Sequence, residues 1–197
     1  MAVLGLRTAK AGWSKRQRPA AWRLAQERQT DRRQLVIDAL VEGGILPEDP
    51  DSDRVILVDC RTFYDPSRHG FGHLGTNAEV LQRFVANANF APMMAFLHRN
   101  LMRLRREPRR TAYFVFFCNR GRHRSVAGAT LIANALEASR EQLCVAPALE
   151  IQVLNQEVAW QGTCGGPQMC SSCRDLQARD PFHEVARTHW QGLLAGQ

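Results

Sequence analysis

The segment Cys118-Asn-Arg-Gly-Arg-His-Arg124-Ser125 brings a nucleophile, a glycine, several cations and a hydroxyl together. It fits C-x-x-G-x-x-R-[ST], a pattern that chance produces in roughly four chains per thousand of this length and composition. Each residue type has a use around one anion. A loop that leaves a strand and enters a helix turns backbone N–H groups toward one point, and the helix N-terminus adds partial positive charge there. Gly121 permits a tight turn and close approach of the main chain. Arg124 offers a fork that spans two phosphate oxygens. The same field favours the thiolate form of Cys118.

Two chemistries share such a loop. In a cysteine-dependent phosphatase Cys118 attacks phosphorus, Arg124 stabilises the equatorial oxygens, and Ser125 hydrogen-bonds the departing thiolate. A carboxylic acid then protonates the leaving alcohol, and Asp65 is the candidate general acid. In a binding site the loop holds a phosphorylated small molecule or RNA phosphates and no bond breaks. His123 is then a ligand donor, or else it packs against the helix start. An arginine-rich turn that only begins a helix is the plainest reading. Cys60 follows an apolar run and reads as a small core residue.

A second cluster, Cys164-Gly-Gly-Pro-Gln-Met-Cys170-Ser-Ser-Cys173, holds three of the six cysteines. Its C-x5-C-x2-C spacing suits tetrahedral thiolate ligation of a structural zinc ion. Met-Ala-Val-Leu-Gly-Leu at the start is too short for a secretory core, so free thiols are expected rather than disulfides. His183 is read as the fourth ligand, with His189 and Cys144 next. Incidental cysteines on an exposed loop are the alternative.

The elements that must position these residues follow from periodicity. A helix is expected from Thr30 to Val41, ended by Glu42-Gly-Gly. Val55–Cys60 and Tyr113–Cys118 read as strands buried on both faces. Helical spacing recurs at Val80, Leu81, Phe84 and Val85 and again from Met93 to Leu104. A further helix runs from the anion loop to about Arg140, and Leu149–Leu154 alternates like an edge strand. This order predicts an α/β fold: a small, mostly parallel sheet flanked by helices, with a strand–phosphate-loop–helix unit and a Cys-rich C-terminal tail. The expected division is a basic flexible arm over 1–29, an α/β domain over 30–158, and a Cys/His-rich tail over 159–197 with a short helix after Pro181.

Asp59-Cys-Arg61-Thr-Phe-Tyr-Asp65-Pro66 and Phe117-Cys-Asn-Arg-Gly-Arg-His-Arg-Ser-Val126 together resemble the C-terminal domain of the RNase adapter RapZ family. The likeness covers about residues 54–155. It implies binding of a small RNA and a phosphorylated amino sugar, with Asn119, Gly121, His123, Arg124 and Ser125 forming the anion pocket and Arg61 and the Asp65-Pro66 turn beside it. Arg120 and Arg122 stand where that family has glycine and glutamine, and Ser67 where it has histidine. The family's nucleotide-binding domain, with its G-x-x-x-x-G-K-[ST] loop, has no counterpart here. Asp59-Cys-Arg with Gly72-His-Leu-Gly is also faintly similar to rhodanese-type and related phosphatase domains, which keeps catalysis in view.

Residues 1–33 carry nine basic groups against Glu27 and Asp31, which is the whole formal net charge of +7. Nearly all are arginine, the better fork for phosphate oxygens. Such an arm points to nucleic acid or to a mitochondrial transit sequence. Backbone contacts are expected with RNA, because no interleaved aromatic signature is present. With 45% hydrophobic and 23% charged residues and no apolar run long enough for a membrane span, an intracellular, cytoplasmic protein is expected. Three readings result: a phosphate-ligand or RNA-binding domain, a cysteine-dependent phosphatase, and a zinc-stabilised protein-interaction module.

Overall fold

The structure is a computed structural model describing residues 2–10, 54–64, 72–106, 111–118, 121–143, 149–155 and 164–196, with scattered positions between 34 and 51. Four strands form one sheet: β1 (Ala2–Lys10), β2 (Val55–Asp59), β3 (Thr111–Cys118) and β4 (Leu149–Asn155). Their order is β2-β3-β1-β4, and all three pairings are parallel. The expected α/β architecture is present. Because the strands are parallel, their carboxyl ends share one edge, where the loops of such sheets place ligands. Asp59 pairs with Phe117 there, so the segments after β2 and β3 leave side by side.

Residues 2–10 correct the reading of 1–29 as a flexible arm. They form β1 between β3 and β4, with Val3 opposite Thr111 and Lys10 opposite Cys118. A strand paired on both sides takes its stability from those ladders, and Arg7 and Lys10 hid it in the sequence. Residues 11–29 lie outside the described ones.

Alternation along β3 divides the core between two sheet faces. Phe114, Phe116 and Cys118 join the main cluster, whereas Tyr113, Val115 and Phe117 meet a smaller one with Ile37, Leu40, Leu46 and Val55. The described residues from Gln34 to Glu42 are helical, as the spacing predicted, and supply the smaller cluster. The main face carries α1 (Ala78–Val85), α2 (Phe90–Arg105), α3 (Arg124–Ala138), the short α4 (Arg140–Leu143) and, after α5 (Ser171–Arg174), α6 (Leu176–Ala195). Cys118 therefore points to the side on which α3 begins.

The C-terminal region is not a coreless tail. α6 lays Ala186 and Trp190 into the main cluster and packs on α1, α2 and α3. It starts at Leu176, ahead of the expected Pro181, because Asp175 caps it by accepting a 3.0 Å bond from the Ala178 N–H. An interior proline costs about 3 kcal/mol. Burial of Trp190, at 1% exposure, and of Ala186 offsets much of that. Among the described residues no helix is long and apolar enough to cross a membrane.

Candidate anion loop and metal centre

β3 delivers Cys118 to the sheet edge at 6% exposure, and α3 begins six residues later with Arg124. The Cys118 Sγ and the Ser125 Oγ are 3.3 Å apart, so the end of β3 and the first turn of α3 meet side chain to side chain. Gly121 has φ +65°, a left-handed conformation that explains why glycine stands there. His123 and Ser125 are buried at 2% and 0% exposure. His123 occupies the N-cap position without a side-chain cap bond, and its carbonyl accepts from the Ala127 N–H at 2.8 Å. Asn119, Arg120 and Asp65 lie outside the described residues.

Arg124 is buried at 5% exposure and oriented by main-chain carbonyls. Its Nη1 donates to Arg61 O at 2.8 Å and to Phe63 O at 3.1 Å. Those carbonyls belong to a short 3-10 turn, Cys60–Thr62, that continues from β2, and to Phe63, the extended residue that ends it. Phe63 anchors the turn by stacking on Phe84 with ring centroids 3.9 Å apart, a contact worth about 0.5–1.5 kcal/mol beyond area burial. The guanidinium beside the loop is thus set by the neighbouring strand.

The expectation for Arg61 is corrected. Its guanidinium grips both oxygens of Asp59, with Nε donating at 2.8 and 3.0 Å, and lies over the Phe117 ring at 5.4 Å. Phe117 faces the opposite side of the sheet from Cys118. Arg61 reaches the anion loop through its carbonyl, and its charge is directed away. Cys60, as expected, is a buried core residue; burial, with a smaller effect from Cys118, pushes its thiol well up.

The cysteine cluster assembles around a residue that sequence spacing missed. The donor atoms of His73, Cys164, Cys170 and Cys173 all lie within 4.8 Å of one another. Cys164 Sγ and Cys173 Sγ are 3.5 Å apart, and His73 Nδ1 is 3.4 Å from Cys170 Sγ and 3.7 Å from Cys173 Sγ. Tetrahedral zinc with standard bond lengths sets sulfurs about 3.8 Å apart and nitrogen about 3.5 Å from sulfur. This set of donors can hold a metal such as zinc. Gly165 and Gly166, at φ +77° and +73°, turn the chain between Cys164 and Cys170.

The fourth donor is His73, and the expectation for His183 is corrected. His183 lies on α6 at 8% exposure, where burial, then Arg179 and Arg187, lower its pKa to about 4. Among the described residues its Nε2 has no hydrogen-bond partner. His189 instead meets the Phe90 ring edge-on at 5.4 Å. Cys144 lies outside the described residues. The one signal for His73 was its setting in Gly72-His-Leu-Gly, but it stands 97 residues before Cys170 and only the fold joins them.

Local electrostatics differ across the cluster. The Cys173 N–H and neighbouring donors lower the Cys170 thiol to about 7. Burial pushes Cys173 up to about 12, although the Leu74 N–H donates to its sulfur. A bound cation would hold all three sulfurs as thiolates, and N–H bonds to sulfur are the outer contacts that orient such ligands.

No family model, curated protein or solved structure matches the chain.

Proposed function

We propose that the Cys118–Ser125 loop binds the phosphate group of a phosphorylated small molecule or of an RNA backbone. The observation that carries this reading is the closure of the loop between strand and helix. The side chains of Cys118 and Ser125 meet at 3.3 Å (Sγ to Oγ) at the carboxyl edge of a parallel sheet, Gly121 is left-handed, and Arg124 is held at the helix start. Main-chain donors of a helix N-terminus and an arginine fork suit an oxyanion. The resemblance to the RapZ C-terminal domain points the same way.

The 3.3 Å contact of Cys118 with Ser125 also favours the second reading, a cysteine-dependent phosphatase with Cys118 as nucleophile, Arg124 as clamp and Asp65 as acid. Cys118→Ser decides between them. In a binding domain, wild type shows no turnover of an aryl phosphate, and the variant keeps its affinity for inorganic phosphate. Wild-type turnover that vanishes in Cys118→Ser would establish the enzyme.

Zinc completes the proposal as a structural ion held by His73, Cys164, Cys170 and Cys173. Three thiolates and an imidazole leave no open position on a four-coordinate ion, so its role is to fix the chain.

The basic segment offers the RNA version its own test. Because residues 2–10 form β1, the charges are removed by substitution. Changing Lys15, Arg16, Arg18, Arg23 and Arg28 to glutamine should weaken RNA binding and flatten its salt dependence. The log–log slope should fall by roughly 0.7–0.9 for every phosphate that the segment neutralises in the wild type. An unchanged slope would remove this segment from the RNA interface.

A further inference from the structure

Six residues join the two sites. In the stretch 72–77, Gly72 O accepts from the Cys164 N–H at 3.0 Å, His73 enters the metal cluster, and the Leu74 N–H donates to the Cys173 sulfur. The next residue already touches the anion loop. The Gly75 N–H donates to Arg122 O at 2.8 Å. A Cβ on Gly75 would lie 2.1 Å from His123 O and 2.5 Å from Ala127 N, so only glycine lets the two backbones meet. Leu74 is fully buried, and Asn77 then caps α1, accepting from the Glu79 N–H at 3.0 Å. Little slack remains between His73 and the loop.

We propose that the metal centre positions the anion loop: metal bound by His73 and the three cysteines fixes the Gly72–Gly75 turn, which holds the Arg122 carbonyl, packs against the His123 carbonyl and so orients the N–H groups of residues 121–125. His73 is a positioning residue for anion binding as well as a ligand. The inference rests on the metal and phosphate readings above and adds that the two sites are coupled. Without the ion, only weak thiol and imidazole contacts and the Cys164 N–H bond to Gly72 O tie the turn to the knuckle, and the turn loses its strongest outer anchor. Coupling between binding equilibria is reciprocal, so phosphate must tighten metal binding by the factor by which metal tightens phosphate.

The test uses the full chain. Zinc is removed from wild type with a chelator and then restored, and hydrogen exchange is followed at residues 121–127, with α2 as reference. Protection at 121–127 should fall by about tenfold or more beyond any loss at α2 without zinc, and should return on reloading. Inorganic phosphate affinity should fall by a similar factor, and phosphate should raise zinc affinity equally. His73→Ala should reproduce the chelated state, and His73→Cys, which restores a fourth donor, should rescue zinc content, loop protection and phosphate affinity together. Unchanged protection at 121–127 in metal-free protein overturns the coupling, and so does an equal loss across α2. If zinc-loaded wild type binds no phosphate, the phosphate reading fails and the exchange data alone decide the coupling. If purified protein takes up no zinc, the metal reading fails and the coupling falls with it.

Discussion

Arg124→Ala is expected to weaken inorganic phosphate binding by about 10- to 150-fold, the effect of removing a charge-assisted hydrogen bond worth about 1.5–3 kcal/mol. The same change should destabilise the fold. Arg61 O and Phe63 O are each deprived of the donor they now have at 2.8 and 3.1 Å. A buried carbonyl left unsatisfied costs about 1–3 kcal/mol. The two effects are separable, because denaturant unfolding without phosphate reads only the second. Arg124→Lys keeps the charge but cannot form the fork, so calorimetry should give it an intermediate affinity. Lower stability with unchanged phosphate affinity would make Arg124 a structural clasp between β2 and α3 and nothing more.

Removal of the metal should have the largest effect on stability. The purified protein is expected to contain about one equivalent of zinc. Structural zinc sites in small peptides are worth about 10–16 kcal/mol, comparable to the whole stability of a domain. Here α6 also packs Ala186 and Trp190 into the main core, so part of the C-terminal region keeps support without the ion. Chelation should still lower the thermal midpoint by at least about 10 °C, since each kcal/mol of destabilisation moves it roughly 2–4 °C in a chain of this size. Cys173→Ser, which removes the most buried ligand, should lose zinc and match the chelated wild type. A metal-free protein with the same midpoint and an ordered 164–175 segment would contradict the zinc reading.

The parts of the fold legible in the sequence are those fixed by short-range patterns. The apolar run ending at Cys118, followed by Gly121 and a helical repeat, is enough to place β3, the loop and α3 in order. The C-x5-C-x2-C spacing likewise identifies three of four donors. The misreadings involve partners that only tertiary structure supplies. β1 is a strand because β3 and β4 lie on either side of it, and its two basic residues imitate an exposed arm. His73 joins the cysteine donors because the turn before α1 meets the C-terminal knuckle. Arg61 looks free for an anion in the sequence, yet Asp59 two residues earlier captures its guanidinium on the other face of the sheet. The start of α6 is hidden by Pro181, although Asp175 already supplies its cap.

Phosphate binding at the loop is tested most directly by titrating the isotope-labelled, zinc-loaded protein with inorganic phosphate and following each backbone amide. Saturable shifts are expected at Gly121, Arg122, His123, Arg124 and Ser125, with one dissociation constant that rises in Arg124→Ala. Shifts confined to the basic segment over 11–33, or to Arg103 and Arg106 at the end of α2, with the loop amides unmoved, would contradict it.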